Sequence, residues 1–348
     1  MSRIKRNLTA KTITLAHGSG GKAMHDLIDD VFVNGFDNSH LDELEDQAKF
    51  DISELAENSD RLAVTTDSFV VDPLFFPGGD IGQLAVTGTV NDLAVGGAIP
   101  LYLTCSMIIE EGFDVEILRS IVKSMKKTAD EAGVKIVTGD TKVVNKGAAD
   151  KLFINTAGIG VIAKDINIHA NRASVGDVVI INGFIGDHGA AIVDARGEMS
   201  LENSIESDCQ VLNSLIQDML QVCPDIHCMR DATRGGVATV LNEFAESSQV
   251  CITIDETAVP VRSEVRGMCE LLGLDPLYLA NEGKVIAIVP EEQSAVVLQT
   301  MQQHPAGKNS AIIGKVSEQP ASRVILKTGF GGNRIVDMLV GEQLPRIC

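Results

Sequence analysis

The sequence has no tryptophan and only two tyrosines, and aromatic residues make up 4% of its 348 positions. Few aromatic platforms are available for stacking bases. Against them stand 32 glycines, which predict many tight backbone turns. No run of eighteen apolar residues occurs, so no transmembrane helix is expected. The first residues, MSRIKRNLTAKTITLAHGSGG, are basic, but no apolar core follows, which argues against a secretory signal. The seven cysteines form no CxxC pair: CPDIHC has the wrong spacing and the count is odd. Free thiols in a reducing cytoplasm are the expectation. Positive charge is scarce, with 29 Lys and Arg against 48 Asp and Glu, a net charge of −19. Such a surface repels a phosphate backbone and argues against nucleic acid. A small nucleotide is still compatible, because metal ions can meet its phosphates locally.

What is there suits a folded enzyme. Hydrophobic residues make up 45% of the chain, and its length fits about two domains. There is no low-complexity tract or short repeat. The β-rich runs are 62–71, 135–138, 151–162, 177–182, 251–255, 284–289, 311–316, 323–327 and 334–339. Helical periodicity lies between them. In DVEILRSIVKSMKKTADEAG, Leu118, Ile121, Val122, Met125, Ala129 and Ala132 share a face, with Asp114 as N-cap and Gly133 as stop. DCQVLNSLIQDML reads as a helix capped by Asp208, and VATVLNEFAE as another. The polar segment AKDINIHANRASVGD marks a boundary, giving domains of 1–168 and 169–348.

Six short stretches carry residue types suited to chemistry. HGSGGK, His17–Lys22, is either an ordinary turn or a loop whose N–H groups, at Gly20 and Gly21, wrap anionic oxygens beside the charge of Lys22. It is not a Walker A loop. In TTDSFVVDPLFFPGGD, Asp67 follows an apolar strand, where an acid caps a turn or meets a metal. In DIGQLAVTGTVNDLAVGGA, Asp80 caps a helix on which Ala85, Gly88, Asp92 and Gly96 share a face. That stripe admits another helix, or a ligand with a metal on Asp92 beside Asn91. VTGDTKVV brings Asp140, Thr141 and Lys142 to an expected sharp turn. RDATRGGVATVL places Asp231 and Thr233 at an expected helix start, a position that favours anions. ANEGK sets Glu282 just before a strand. Each stretch is weak alone; together they put acids beside glycine turns, as Mg²⁺ with a polyphosphate requires.

Two features look bland. IGDHGAA sets Asp187 and His188 at a strand-to-helix turn, where histidine has many structural uses. CELLG reads as a buried helix face. The sequence stops on LPRIC, with a thiol on Cys348, and a frayed end tolerates almost any residue.

HGSGGK, TTDSFVVDPLFFPGGDIG, NDLAVGGA, GDTKVV, KLFINTAGIG, GDHG, DATRGG, NEGK and PRIC, in this order, resemble the HypE family of hydrogenase maturation factors. That family belongs to the PurM-like aminoimidazole ribotide synthetase superfamily, and the resemblance runs from His17 to Cys348. It implies an α+β, PurM-like two-domain fold. The N-terminal α/β domain would pair across a homodimer into a β-barrel, and a C-terminal α+β domain would follow. ATP with Mg²⁺ would lie between the domains. By motif match Asp67, Asp92 and Asp231 fall at metal-binding acids. Asn91, Asp140 and Thr141 fall near the triphosphate, and Lys22 on the loop that closes over it. The implied reaction takes place on Cys348. A carbamoyltransferase, HypF, loads a carbamoyl group on the sulfur, and ATP drives dehydration of the S-carboxamide to an S-cyanide. The cyanide passes to a HypC–HypD complex for the iron of [NiFe]-hydrogenase. Glu282 and Lys142 are the candidates for taking the amide protons.

The nine residues after Leu339 reach roughly 30 Å when extended, enough to carry Cys348 into the cleft or out to a partner, and Cys348 itself is expected to be mobile and accessible. Alternatives are another ATP-using member of the superfamily or a carrier scaffold without activity. Selenophosphate synthetases usually carry Cys or selenocysteine in the glycine-loop region, where this chain has Ser19, Gly20 and Gly21. A small-molecule kinase would have no use for Cys348.

Overall fold

The computed structural model describes residues 8–19, 22–42, 48, 50, 59, 61–197, 205–339, 344 and 347–348. Two sheets organise it. The first has the order β1-β6-β4-β5, with β1 (Arg61–Phe69), β4 (Ala98–Glu110), β5 (Lys135–Val144) and β6 (Leu152–Ile162). The strands β4 and β5 run parallel and are joined by a helix, α5 (Val115–Ala132). Its ends are set by the sequence. Asp114 accepts hydrogen bonds from the N–H groups of Glu116 (2.7 Å) and Ile117 (3.1 Å), and Gly133 stops the helix at φ +71°. The expected stripe from Leu118 to Ala132 is buried.

A second helix, α4 (Ile81–Val95), begins as expected at Asp80, which accepts from Gly82 N (2.7 Å) and Gln83 N (3.1 Å). Its small-residue stripe packs on the sheet. A Cβ on Gly88 would come within 2.9 Å of the Phe69 ring, and Thr156 Oγ1 donates to Ala85 O (2.8 Å). Close approach of helix and strand, not of a ligand, explains Ala85 and Gly88.

The opposite face of this sheet is uncovered among the described residues. Leu62 (59% exposed) and Val64 (68%) project from β1, and Ser68, Asn155, Ser106 and Asp140 are register neighbours across the four strands. One expectation fails here. The strand β5 does not turn at Gly139–Lys142 but runs on to Val144. Gly139 is what permits this: a Cβ there would stand 2.1 Å from the carbonyl oxygen of Cys105 on β4.

The second sheet has the order β13-β12-β9-β11-β7-β10-β8. Its members are β7 (Val178–Ile181), β8 (Cys228–Asp231), β9 (Cys251–Asp255), β10 (Val285–Val289), β11 (Ala311–Ser317), β12 (Arg323–Lys327) and β13 (Asn333–Val336). Alternate residues of its central strands feed two cores. Val179, Ile181, Ile286 and Ile288 meet the helix α8 (Gly236–Ser248). Val178, Ile180, Val285 and Ala287 meet α7 (Asn213–Val222) and α10 (Glu291–Gln303). Ala94 and Val95 of α4 join this second core, so the two units share apolar packing. Two further expectations are corrected. Asp208 does not cap α7, which starts at Asn213 without a side-chain cap. Asp231 ends β8, and α8 begins only at Gly236, after Gly235 at φ +76°.

No helix among the described residues is long and apolar enough to cross a membrane. None of the seven cysteines is in a disulfide; six are buried and Cys348 is half-buried. Burial pushes the thiols of Cys105 and Cys228 up to about 12 and that of Cys269 up to about 11.

Candidate active site

Three strand or helix positions bring carboxylates to the seam between the sheets. Asp67 lies near the end of β1, Asp92 on α4 and Asp231 at the end of β8, all half-buried. Thr65 Oγ1 donates to Asp92 Oδ2 (2.9 Å), and Asp67 Oδ1 accepts from Ser68 N (2.8 Å). Burial raises all three acids. Asp67 adds to the rise of Asp92, and Asp92 helps to push Asp231 up to about 7. Arg234 and Arg230 oppose the effect from nearby.

Glu282 is 3% exposed, and its Oε1 has no hydrogen-bond partner. Burial first, then Asp208, Asp231 and Asp67, hold it well above the usual carboxylate range. The turn that presents it is held by Asp208. That carboxylate accepts from Glu282 N (3.0 Å), Gly283 N (3.2 Å) and Lys284 Nζ (2.8 Å). Burial would raise Asp208, but the Lys284 ammonium and these bonds outweigh it and keep the group below the ordinary value.

Buried oxygen donors of raised proton affinity suit a hard divalent cation, which would neutralise them. No three His, Cys, Asp or Glu side chains among the described residues stand close enough to hold an ion unaided. A cation here would draw further oxygens from a ligand and water, as Mg²⁺ on a polyphosphate does.

The other expected site residues lie elsewhere. Gly20 and Gly21 fall outside the described residues. Lys22 starts α1 (Lys22–Leu27), 86% exposed, and pairs with Asp26 (2.5 Å). Asp140 and Lys142 pair with each other (3.2 Å) on β5, three strands from β1, a separation of about 14 Å at ordinary strand spacing. Thr141 points the other way, into a cavity of about 260 Å³ lined also by Met24, Phe32, Cys105 and Met107. Asn91 is 2% exposed and fully occupied: its Oδ1 accepts from Leu212 N (2.8 Å), and its Nδ2 donates to Gln210 O (3.1 Å) and Glu282 O (3.5 Å).

Cys348, expected to be mobile, is seated in this structure. Pro345 and Arg346 fall outside the described residues, but Ile347 is 5% exposed and packs into the core of the first sheet. Its carbonyl oxygen lies 2.7 Å from His188 Nε2, and Val70 N–H donates to Cys348 O (3.2 Å). Val70 directly follows the strand that carries Asp67, so the seat of Cys348 lies three residues along the chain from that acid, about 10 Å of extended backbone. His188, Asp208 and Lys284 were not singled out as functional from the sequence. The groups that Asp208 holds lie 74 to 76 residues away in the chain, and the carbonyl that meets His188 lies 159 away, so no local pattern announces them.

Residues 44–162 match the family described as AIR synthase related protein, N-terminal domain, and residues 174–327 the corresponding C-terminal domain. The chain is 53% identical over 341 residues to carbamoyl dehydratase HypE of Rhodobacter capsulatus, covering 98% of this chain and 99% of that one. It belongs to the HypE family. A crystal structure of the HypE hydrogenase maturation protein in complex with ATP superposes with a TM-score of 0.92 at 50% identity, covering 97% of this chain and 100% of the other. A HypE chain from a HypE–HypF complex is similar at 48% identity and a TM-score of 0.78, over 92% of this chain and 100% of that one. The HypE and PurM-like resemblance read from the motifs is thus established, with its two-domain α+β fold.

Proposed function

We propose that this chain uses ATP to dehydrate an S-carboxamide on Cys348 to an S-cyanide, as a carbamoyl dehydratase serving [NiFe]-hydrogenase maturation. The observation that carries the reading is the seating of Ile347 and Cys348 at His188 and Val70, at the end of the strand that bears Asp67. The relatives' names and the ATP complex of one of them support it.

An amide oxygen is a poor leaving group and a phosphorylated oxygen a good one. The carboxamide oxygen of Cys348 takes the γ-phosphoryl group and the nitrogen gives up a proton, leaving an imidate phosphate. Loss of the second N–H proton forms the C≡N bond as the C–O bond breaks and phosphate departs. ATP thus ends as ADP and phosphate, and the oxygen lost from carbon leaves in the phosphate. Asp67, Asp92 and Asp231 would hold Mg²⁺, which when bound offsets the charge of the phosphate oxygens. Lys22 and the glycine loop at Gly20 and Gly21 close over the triphosphate, with Asn91, Asp140 and Thr141 in its surroundings. Glu282, buried and raised, is placed to hold an amide proton. Lys142, paired with Asp140, is the candidate for the other proton step by its match to the family motif.

That face, with Leu62 and Val64 exposed on an edge strand, is the proposed homodimer surface, closing two sheets into a barrel. The domains of 1–168 and 169–348, a cytoplasmic setting, HypF as carbamoyl donor and a HypC–HypD complex as cyanide acceptor complete the reading.

The test is peptide mass spectrometry after incubation with a carbamoyl-loading partner, Mg²⁺ and ATP. Cys348 alone should gain a carbamoyl group and then lose the mass of one water. Cyanide formed by a Cys348→Ala variant, or modification of another cysteine, would sink the proposal.

A further inference from the structure

The carbonyl of Ile347 is met by a buried polar side chain, His188. The ring is fully buried at the start of α6 (Asp187–Ala195), with its edge or face toward Phe76 at 5.4 Å and 85°. Its contacts fix its tautomer. Ile347 O is a carbonyl and accepts only, so Nε2 carries the hydrogen and donates across 2.7 Å. Burial pulls the imidazole below its ordinary value, so the ring is neutral and Nδ1 is an acceptor. Ser207 Oγ, 2.8 Å away, donates to Nδ1 and accepts in turn from Cys209 N (3.2 Å). Every polar atom in this relay is satisfied in one direction: Cys209 N–H to Ser207, Ser207 O–H to His188, His188 N–H to Ile347.

The next residue in the chain after Ser207 is Asp208, whose carboxylate holds the backbone of Glu282 and Gly283. Ser207 is itself anchored, because its N–H donates to Pro77 O (2.8 Å) and a Cβ on Gly78 would strike its backbone at 2.7 Å. One rigid dipeptide therefore sets both the histidine that grips Ile347 and the turn that presents Glu282.

We infer that His188, as the neutral Nε2–H tautomer held by Ser207, is the positioning residue that seats Cys348, keeping its sulfur in fixed register with Glu282. The inference rests on the dehydratase reading for its purpose, but the seating itself is a property of the chain without ATP or partner. No proton moves at His188; it holds a carbonyl.

Two near-isosteric variants of the full chain test it. Glutamine can place an N–H near the position of Nε2, whereas asparagine reaches only as far as Nδ1. The readout is the rate at which iodoacetamide alkylates Cys348, followed by mass spectrometry of its peptide. His188→Asn should raise that rate about tenfold, the effect of losing one hydrogen bond of about 1.4 kcal/mol. His188→Gln should stay within about twofold of wild type, on the same scale. Both variants are compared at matched thermal stability. In a second arm, with carbamoylated protein and ATP, His188→Asn should slow cyanide formation about tenfold or more while carbamoylation of Cys348 is not slowed, and His188→Gln should restore the rate. Equal alkylation rates in wild type and His188→Asn overturn the inference. So does a His188→Gln as fast as His188→Asn, since ring bulk rather than the N–H would then hold the seat. If wild type makes no cyanide, the dehydratase reading falls while the alkylation result still decides the seating.

Discussion

Two groups of acids meet at the seam between the sheets, and they are treated in opposite ways. Asp208 is buried at 3% side-chain exposure and has its own cation, Lys284, buried with it at 6%. Asp67, Asp92 and Asp231 have no ion-paired cation among the described residues: burial raises all three, neighbouring acids raise Asp92 and Asp231 further, and Arg230 and Arg234 only oppose this from nearby. Where the protein supplies the countercharge, the carboxylate is a fixed brace. Where it withholds one, the carboxylates keep the capacity to take a cation brought with a ligand. The difference separates scaffold from site more clearly than burial does, because the braced acid is the more buried of the two kinds.

Breaking the brace should have the largest effect. Lys284→Met leaves Asp208 buried without a partner and is expected to cost about 3–5 kcal/mol in chemical denaturation. Adding Asp208→Asn should recover part of that loss; a double variant no more stable than Lys284→Met would mean the pair is not the brace. Next is Asp92→Asn, expected to lower ATP-dependent turnover roughly a hundredfold, about 2.7 kcal/mol of transition-state stabilisation. Its stability without ligand should hold or rise slightly, since a like-charge repulsion is removed. Near-normal ATP hydrolysis would refute the metal role.

A pH series sharpens the comparison. Asp231 is raised to about 7, so between the ordinary Asp value near 3.8 and that point the folded state holds a proton the unfolded state has lost. Stability without ligand should therefore fall as pH rises through this window, by up to about 1.4 kcal/mol per pH unit. Asp231→Asn should flatten the slope. Asp208 works in the opposite sense: its group is lowered, so its contribution is present above about 3.8 and is lost as pH falls through its folded value. The smallest effect is expected for Thr65→Val, which removes one hydrogen bond to Asp92 worth about 1 kcal/mol and should shift the Mg²⁺ requirement a few-fold.

The two kinds of acid were not equally legible in the sequence. Asp67, Asp92 and Asp231 stand in short motifs with glycines and recognisable strand or helix context. The caps at Asp80 and Asp114 are local and were read correctly. Asp208 fits a helix cap by the local rule, but its true partners lie 74 to 76 positions away. The strand β4 is not legible in the sequence: its run AIPLYLTCSMIIE lies between two neighbours at the centre of a sheet and shows no clean alternation. The turn expected at Gly139–Lys142 failed for a related reason, since a glycine that permits a close interstrand approach looks the same as one that permits a turn.

Asn91 carries a consequence for motion. Its amide grips Leu212, Gln210 and Glu282 from a helix of the other unit, and Ala94 and Val95 of that helix lie in the apolar core beside α7 and β10. A hinge opening at this seam would have to break those bonds and expose that core together. The two units are thus riveted at the point nearest the acids, and a nucleotide must enter by rearrangement of the parts around the rivet rather than by jaws swinging apart.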